Sequence, residues 1–222
     1  MQKTLDWLDN GTPVSTRFGD PYFSVADGVA EARHVFLAGN RLPERFAPGF
    51  AIAELGFGTG LSFLVAWAAW LTAGHRTPLH FTSFEAWPLS GADMRRALGH
   101  WPELAPLADA FLSAWHPDGG VMQLSGARLE VVPGDARETL RGWTGAADAW
   151  FLDGFSPARN PELWSPELLV QVARHTRPGG TFATYSAAGH VRRALATAGF
   201  AVRRLPGFAG KRHMSAGSLS AL

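Results

Sequence analysis

Short apolar segments alternate with segments of helical period along this chain from residue 50 onward. This alternation constrains the fold more than any other feature, because strands that alternate with helices form a parallel sheet covered on both faces. The predicted strands are residues 50–55, 79–84, 128–132, 149–152, 181–185 and 200–205. The predicted helices are residues 61–71, 93–98, 104–115, 167–175 and 191–198. We therefore expect an α/β fold with a mostly parallel sheet, which binds ligands at the carboxyl ends of its strands.

The first part of the chain does not follow this alternation. Turn-forming residues crowd positions 11–21, and Asp27 can cap a short helix over residues 31–37. Prolines and a glycine then end the segment. Two regions are expected: an N-terminal arm, residues 1–49, packed on a core domain that spans residues 50–222.

The composition excludes several classes of protein. The chain has no cysteine, so it forms no disulfide and contains no thiolate metal site or cysteine nucleophile. Its eight histidines show no metal-ligand spacing, and no metal site is expected. With 46% hydrophobic residues, the chain can form a sizeable core.

Charge and hydropathy bear on partners and location. Lys and Arg number 20 against 19 acidic residues, so nucleic acid must be bound by a local basic patch rather than by net charge. Basic residues late in the sequence form either such a patch or a solvated helix face: Arg192, Arg193, Arg203, Arg204, Lys211 and Arg212.

No apolar run is long enough to span a bilayer, and residues 1–9 do not resemble a signal peptide. A cytoplasmic protein without membrane contact is expected.

The first predicted strand runs directly into a glycine-rich segment that a predicted helix follows. Glycines let the backbone turn tightly and approach a ligand closely, and the start of the helix offers free N–H groups. The spacing G-x-G-x-G, preceded by an acid, resembles the first motif of class I S-adenosylmethionine methyltransferases; a simple glycine turn is the alternative. The candidate cofactor-binding residues here are Glu54, Gly56, Phe57, Gly58, Thr59 and Gly60.

Acidic residues also follow the next two predicted strands. Glu85 ends the second strand, where a carboxylate can accept hydrogen bonds from both hydroxyls of a ribose. Asp135 follows the third strand, together with Ala136, and suits either an adenine amino group or a helix cap. Counting Glu54, three successive predicted strands end in acids, which favours a nucleoside-type cofactor over isolated caps or surface charges.

The fourth predicted strand ends at Asp153, and Phe155 lies two residues further on. A carboxylate that accepts an amine N–H fixes the direction of the nitrogen lone pair, and a neighbouring aromatic ring can pack on a base or a cation. The alternative is that Asp153 only caps the turn that follows. Methylation of a pyrimidine carbon and radical methylation both use cysteines, so a nitrogen or oxygen acceptor is expected.

Four stretches together resemble the methyltransferase domain of the MnmC family, which is also found alone as MnmD. They are residues 17–24 with the helix that follows to residue 40, residues 54–61, residues 148–164, and residues 188–193 with residues 207–214. The resemblance implies a Rossmann-like class I methyltransferase fold with S-adenosylmethionine as cofactor. It also implies that the aminomethyl nitrogen of a tRNA wobble uridine receives the methyl group, giving 5-methylaminomethyl-(2-thio)uridine.

The resemblance also implies roles for particular residues. Asp153 is expected at the amine as the catalytic residue, with Phe155 and Tyr22 lining the substrate pocket, and Lys211 and Arg212 near the tRNA. The flavin-dependent oxidase half of bifunctional members has no counterpart in this sequence, so no oxidase activity is expected. A separate oxidase or an upstream wobble-uridine enzyme is then expected to supply the aminomethyl substrate.

Two other functions stay open. A small-amine N-methyltransferase or aminopropyltransferase would share the cofactor site and Asp153 but would not need Lys211 and Arg212. A non-catalytic tRNA- or nucleoside-binding protein could keep the same fold without turnover.

Overall fold

The computed structural model describes residues 5–220; residues 1–4 of the expected arm and residues 221–222 of the expected core domain lie outside it. The strands are β1 (Leu5–Trp7), β2 (Pro13–Ser15), β3 (Ala51–Leu55), β4 (Leu79–Glu85), β5 (Gly120–Leu124), β6 (Ala127–Pro133), β7 (Ala147–Leu152), β8 (Thr176–Thr184), β9 (Phe200–Pro206) and β10 (His213–Leu219). The α-helices are α1 (Gly28–Ala32), α2 (Leu61–Thr72), α3 (Gly91–Leu98), α4 (Ala105–Ala114), α5 (Ala136–Gly142), α6 (Pro166–Arg174) and α7 (Gly189–Thr197).

Within the described residues, β1 and β2 form a small hairpin, and the other strands form an eight-stranded sheet ordered β5-β6-β4-β3-β7-β8-β10-β9. Its middle strands, from β6 to β8, are parallel. At the edges, β5 pairs antiparallel with β6, and β10 lies antiparallel between β8 and β9. The chain order reverses at β3, and ligands of open α/β sheets bind at the carboxyl ends of the strands beside such a reversal. The predicted α/β fold with a mostly parallel sheet is confirmed.

Both faces of the sheet are buried. Successive side chains of a central strand point to opposite faces and belong to two different hydrophobic clusters. In β7, Phe151 belongs to the cluster that also contains Phe63 of α2, whereas its neighbour Trp150 belongs to the cluster that contains Leu169 of α6. A strand buried on both faces has no polar side chains to alternate with its apolar ones, which explains its continuous apolar run.

The segment before β3 shares this core. Asp27 caps α1, as predicted, and the helix continues as a π-helical turn over Arg33–Leu37 and a 3-10 turn over Ala38–Asn40. Asn40 is fully buried. Its Nδ2 donates to the carbonyl oxygen of Trp150 at 3.2 Å, and its Oδ1 accepts a hydrogen bond from Thr181 Oγ1 at 2.6 Å. These hydrogen bonds join the segment to β7 and β8.

Sequence patterns do not predict β5, α5 or β10. The last of these is rich in serine, alanine and glycine, which are weak strand formers. A Cβ at Gly217 would come within 2.6 Å of Phe182 and 2.7 Å of the carbonyl oxygen of Ala201, so no larger residue fits at this position of β10. Strand β8 begins before the predicted strand at residues 181–185, but residues 177–180 lie between its pairings with β7 at Thr176 and Thr181, and Gly179 there has a φ of +74°.

Candidate active site

A cavity of about 660 Å³ opens at the carboxyl ends of the central strands, where the chain order reverses. This volume is in the range of pockets that enclose a ligand of drug or nucleoside size. Most of the residues singled out from the sequence line it: Tyr22, Gly56, Phe57, Gly58, Thr59, Glu85, Asp135, Ala136, Asp153, Phe155 and Lys211. Three of them do not: Glu54, Gly60 and Arg212.

The glycine-rich loop between β3 and α2 forms the floor of this cavity. Gly56 has a φ of +84°, and a Cβ there would come within 2.9 Å of the Cα of Gly154 in the loop after β7. Gly58 has a φ of +54°, and a Cβ there would lie 3.1 Å from the Tyr22 ring. Any other residue would strain the loop and collide with Gly154 or Tyr22. The backbone of this loop, which lines the cavity before the first turn of α2, is called the cradle below.

Glu85, at the end of β4, is held in place by the same loop. Its Oε2 accepts the backbone N–H of Gly58 at 2.9 Å, and its Oε1 accepts that of Trp87 at 2.8 Å. Burial raises the pKa of Glu85, and the backbone N–H groups of Gly58, Trp87, Phe57 and Ala86 oppose the rise. The carboxylate lies at the cavity wall, where the hydroxyls of a ribose diol could approach it.

Glu54 lies beneath the site rather than in it. Only 1% of its surface is exposed, and Ser83 Oγ donates to its Oε2 at 2.7 Å. Within the described residues, its Oε1 has no hydrogen-bond partner. Burial raises its pKa well above the ordinary value, and the charge of Asp153 raises it further. Its part in cofactor binding stays a prediction.

Asp135 has the role that the sequence left as an alternative, a helix cap. Its Oδ1 accepts the backbone N–H of Arg137 at 2.9 Å at the start of α5. The Arg137 guanidinium also bonds both carboxylate oxygens, at 2.6 to 3.0 Å, which lowers the pKa of Asp135. The cavity thus meets an ion pair here rather than a single carboxylate.

Asp153 follows β7 at the cavity and is half-buried. Burial raises its pKa to about 7, the Glu31 carboxylate acts in the same direction, and Gly154, Lys211 and Ser62 oppose the rise. Ser62 Oγ, in the first turn of α2, donates to its Oδ2 at 3.4 Å. Asp153 can therefore gain or lose a proton near neutral pH.

Sequence reasoning missed the acidic residue that faces Asp153 from α1. Glu31 forms an ion pair with Lys211 at 2.7 Å, and only 13% of its side chain is exposed. The ammonium of Lys211 also lies 4.5 Å from the centre of the Tyr185 ring. All of these residues line the cavity. No periodicity or motif relates residue 31 to residue 153; only the packing of α1 on the sheet brings them together.

Aromatic side chains form one wall of the cavity. Phe155 stacks on Phe18 with 4.7 Å between ring centroids, and the Tyr22 ring meets it edge-on at 5.0 Å. Trp87 is 48% exposed, and Phe18 contacts its ring edge-on at 5.4 Å. Asp20 ties this wall to the loop after β7, because its Oδ2 accepts the backbone N–H of Ser156 at 2.8 Å. Flat apolar faces of this kind can pack against a nucleobase.

The late basic residues are separated by the structure. Lys211 lies at the cavity, whereas Arg212 is exposed outside it. Desolvation lowers the pKa of His213, and the charges of Arg204, Arg212 and Arg192 lower it further, so all three arginines lie near His213. Among the described residues, none of the three has an acidic partner. We call these three arginines the basic surface.

In the described part of the chain, no group of histidine, aspartate and glutamate side chains could hold a metal ion. Over the same residues, no helix is both long and apolar enough to cross a membrane.

A cavity at the reversal point of a parallel sheet, a glycine cradle and a carboxylate at the end of the second central strand are typical of a Rossmann-like protein with a nucleoside-type cofactor. The chain belongs to a family of S-adenosyl-L-methionine-dependent methyltransferases, whose profile matches residues 102–220. The cofactor predicted from the sequence is thereby confirmed.

Curated relatives and solved structures support the more specific resemblance. The chain is 49% identical, over 96% of its length, to the "tRNA 5-methylaminomethyl-2-thiouridine biosynthesis bifunctional protein MnmC" of Pseudomonas aeruginosa. A protein of the same name from Aeromonas hydrophila is 47% identical over 96% of the chain. The chain spans about a third of the length of these relatives, 34% and 35%.

A crystal structure of MnmC2 from Aquifex aeolicus matches the whole chain with a TM-score of 0.83, 25% identity and 72% of its own length covered. A methyltransferase from Pyrococcus furiosus shares the fold alone, with a TM-score of 0.52, 16% identity, 92% of this chain and 91% of its own length covered. The resemblance to the MnmC methyltransferase domain, predicted from four sequence stretches, is confirmed.

The residues at the cavity fit S-adenosyl-L-methionine. Gly56 and Gly58 line the cavity without side chains, so the loop backbone is open to a ligand there, and the Glu85 carboxylate at the same wall is suited to ribose hydroxyls. The backbone of the loop and Glu85 are therefore the groups that would hold the cofactor, with Ala136 and the Asp135–Arg137 pair at the adjoining wall.

Proposed function

We propose that this protein methylates the exocyclic amine of 5-aminomethyl-(2-thio)uridine at the tRNA wobble position, giving 5-methylaminomethyl-(2-thio)uridine. The observation that carries the proposal is the position of Asp153, a carboxylate with a pKa of about 7 beside an aromatic wall in the cofactor cavity. The names of the relatives, which describe tRNA 5-methylaminomethyl-2-thiouridine biosynthesis, supply the substrate.

S-Adenosyl-L-methionine, when bound, supplies an electrophilic methyl group. In the proposed mechanism the residues of the glycine-rich loop and Glu85 hold the cofactor, while the carboxylate of Asp153 accepts an N–H of the substrate amine. This bond directs the nitrogen lone pair, and correct orientation of two reactants can lower a barrier by several kcal/mol, about 7–11 in favourable cases.

The amine must also lose a proton before it can act as a nucleophile. Aliphatic amines are mostly protonated at neutral pH, and a group with a pKa near the working pH exchanges protons efficiently. Burial and the Glu31 charge raise the pKa of Asp153 to about 7, so its carboxylate can take this proton. Asp153 is then both the orienting group and the proton acceptor.

The rest of the substrate has chemically suitable contacts. The rings of Phe155 and Tyr22, with Phe18, can pack against the uracil base. Lys211 at the cavity and the basic surface outside it can bind RNA phosphates.

We expect the reaction to occur in the cytoplasm, with the aminomethyl substrate supplied by an oxidase or another wobble-uridine enzyme. Residues 1–49 are proposed to act as an arm that completes the cavity of the methyltransferase core at residues 50–222.

The direct test combines the purified protein with S-adenosyl-L-methionine and tRNA from cells that lack the final methylation step. Nucleoside mass spectrometry should show methylaminomethyluridine appearing as aminomethyluridine disappears. Methylation of a free small amine, with no change in the tRNA, would instead favour a small-amine methyltransferase. Cofactor binding without transfer to either substrate would indicate a non-catalytic binding protein.

A further inference from the structure

The cavity already contains an ammonium group that belongs to the chain itself. Lys211 lies on the loop between β9 and β10 and influences the pKa of Asp153, so its charge is within electrostatic reach of that carboxylate. Its side chain is 47% exposed, and it carries its charge on a flexible four-carbon stem. Chemically, this ammonium resembles the protonated aminomethyl group of the proposed substrate.

Such a group is a potential competitor for Asp153. A partly buried carboxylate attracts any ammonium within reach, because the attraction between opposite charges is stronger where water is excluded. The charges that face Asp153 are Glu31 from α1, Lys211 from the loop, and Glu54 from β3, with the Tyr185 phenol at the end of β8. Lys211 is the positive one among them.

In the structure, Lys211 is held away from Asp153 by two contacts. Its Nζ donates to Oε1 of Glu31 at 2.7 Å, and it lies 4.5 Å from the centre of the Tyr185 ring. Glu31 is well suited to this task, since only 13% of its side chain is exposed and it lies on a helix capped by Asp27. Tyr185 is fixed in turn by its hydroxyl, which donates to the carbonyl oxygen of Gly154 at 2.8 Å.

We propose that Glu31 is a positioning residue, which holds the Lys211 ammonium so that the Asp153 carboxylate stays free for the substrate amine. This inference rests on the proposed function, because it assigns the amine to Asp153. Glu31 acts through Lys211 and needs no contact with the substrate. Removing its charge should let Lys211 bind Asp153 and compete with the substrate.

The kinetic test uses an anticodon stem-loop RNA that contains aminomethyluridine. In E31Q, the released ammonium should raise KM for this RNA by about tenfold or more, with kcat changed less, as expected when a charged competitor occupies the site. The double variant E31Q/K211M removes the competitor, so its KM should return to that of K211M alone. K211M itself should show a smaller rise, because it loses one phosphate-binding charge.

Rescue by the second substitution distinguishes this role from others. If E31Q and E31Q/K211M are equally impaired, Glu31 binds the substrate directly or is needed for folding, and the inference is wrong. An unchanged KM in E31Q would also overturn it. The matched control is D109N, which removes the acid of the exposed Arg95–Asp109 ion pair and should leave KM unaltered.

A measurement without turnover completes the test. A crystal structure of substrate-free E31Q should show Lys211 Nζ within hydrogen-bonding distance of the Asp153 carboxylate; a lysine that stays at residue 31 or turns to solvent contradicts the inference. If E31Q does not fold, E31D, with its carboxylate drawn back, should show a smaller KM rise that K211M again removes. Failure of the wild-type chain to methylate aminomethyluridine would refute the proposed function instead, whatever the position of Lys211.

Discussion

At the scale of single residues, the charged form of Asp153 lowers the free energy of unfolding and also serves the proposed chemistry. Its carboxylate is half-buried, and it accepts a long hydrogen bond from Ser62 Oγ, at 3.4 Å, and one from the backbone N–H of Gly154. Burial therefore raises its pKa to about 7, which is the value that a proton acceptor at neutral pH requires. The same desolvation that prepares the group for an amine makes the charged form unfavourable in the folded chain.

The first prediction concerns activity. D153A should lower kcat/KM for aminomethyluridine RNA by at least about a thousandfold, because both orientation and proton transfer are lost. Cofactor affinity, measured by calorimetry, should stay within a few-fold of the wild type, since the cradle and Glu85 are unchanged. A collapse of cofactor binding in D153A would move Asp153 from the acceptor side of the site to the cofactor side.

The second prediction concerns stability. A carboxylate whose folded pKa is raised binds more protons in the folded than in the unfolded state, so it lowers stability as pH rises from about 4 to about 7. D153N, which cannot ionise, should therefore be more stable than the wild type at pH 8, by about 2 kcal/mol after allowing for partial exposure. Urea unfolding should show this difference shrinking at pH 5; a difference that grows at pH 5 would contradict the pKa assignment.

The sequence predicts a site residue when a local pattern marks it, but it does not show which residues far apart along the chain come together in the fold. Asp153 and Glu85 are recognisable because each directly follows an apolar strand, and parallel strands align their carboxyl ends. Glu31 is not recognisable as a site residue from the sequence, because nothing local in α1 indicates that its side chain faces the cavity. Asp135 has the residue type expected beside an adenine, but the adjacent Arg137 engages its carboxylate.

At the scale of elements, the sequence predicts best those strands whose two faces are both buried by apolar side chains. The central strands were predicted because both of their faces are covered, which makes them continuous apolar runs. Strand β10 is also largely buried, but the sequence does not predict it, because its serines, alanine and glycine form no apolar run and Gly217 occupies a position where a side chain would collide with Phe182. Its strand conformation comes from its hydrogen bonds to β8 and β9 rather than from its own propensity.

A substitution in β10 tests this explanation. G217V would add a branched side chain at a position where even a Cβ would come within 2.6 Å of Phe182. Overpacking of this kind costs about 1–3 kcal/mol. The neighbouring exposed residue supplies the control, because S218V adds a β-branched side chain without entering the core. Denaturant unfolding should show a loss in G217V and little change in S218V; equal behaviour would mean that space does not limit this strand.

At the scale of the whole molecule, the net charge of +1 gives no general attraction for RNA, so binding depends on where the charges lie. The basic surface of Arg192, Arg204 and Arg212 gathers positive charge outside the cavity without acidic partners among the described residues. Sequence alone left these residues undecided between a phosphate-binding patch and a solvated face. In the structure, Arg192 of α7, Arg204 of β9 and Arg212, directly before β10, all lie near His213.

Salt dependence separates these alternatives. If the basic surface contacts phosphates, R204Q/R212Q should weaken tRNA binding, and the slope of log K against log salt should fall by about two. Filter binding across a salt series measures both quantities. R174Q, at the exposed end of α6, removes a similar charge elsewhere and should leave the slope unchanged. Identical slopes in all three proteins would indicate a solvated face.

The walls of the cavity come from widely separated parts of the chain. Asp20 and Glu31 precede the central sheet, Asp153 lies in its middle, and Lys211 follows β9. During synthesis on the ribosome, the glycine cradle and Glu85 are made long before the loop that carries Lys211. A nascent chain can therefore present part of a cofactor site early but completes its acceptor site only after the loop between β9 and β10 has been made. A chain interrupted after β8 would lack Lys211 and the two strands that flank it, however well its first strands had folded.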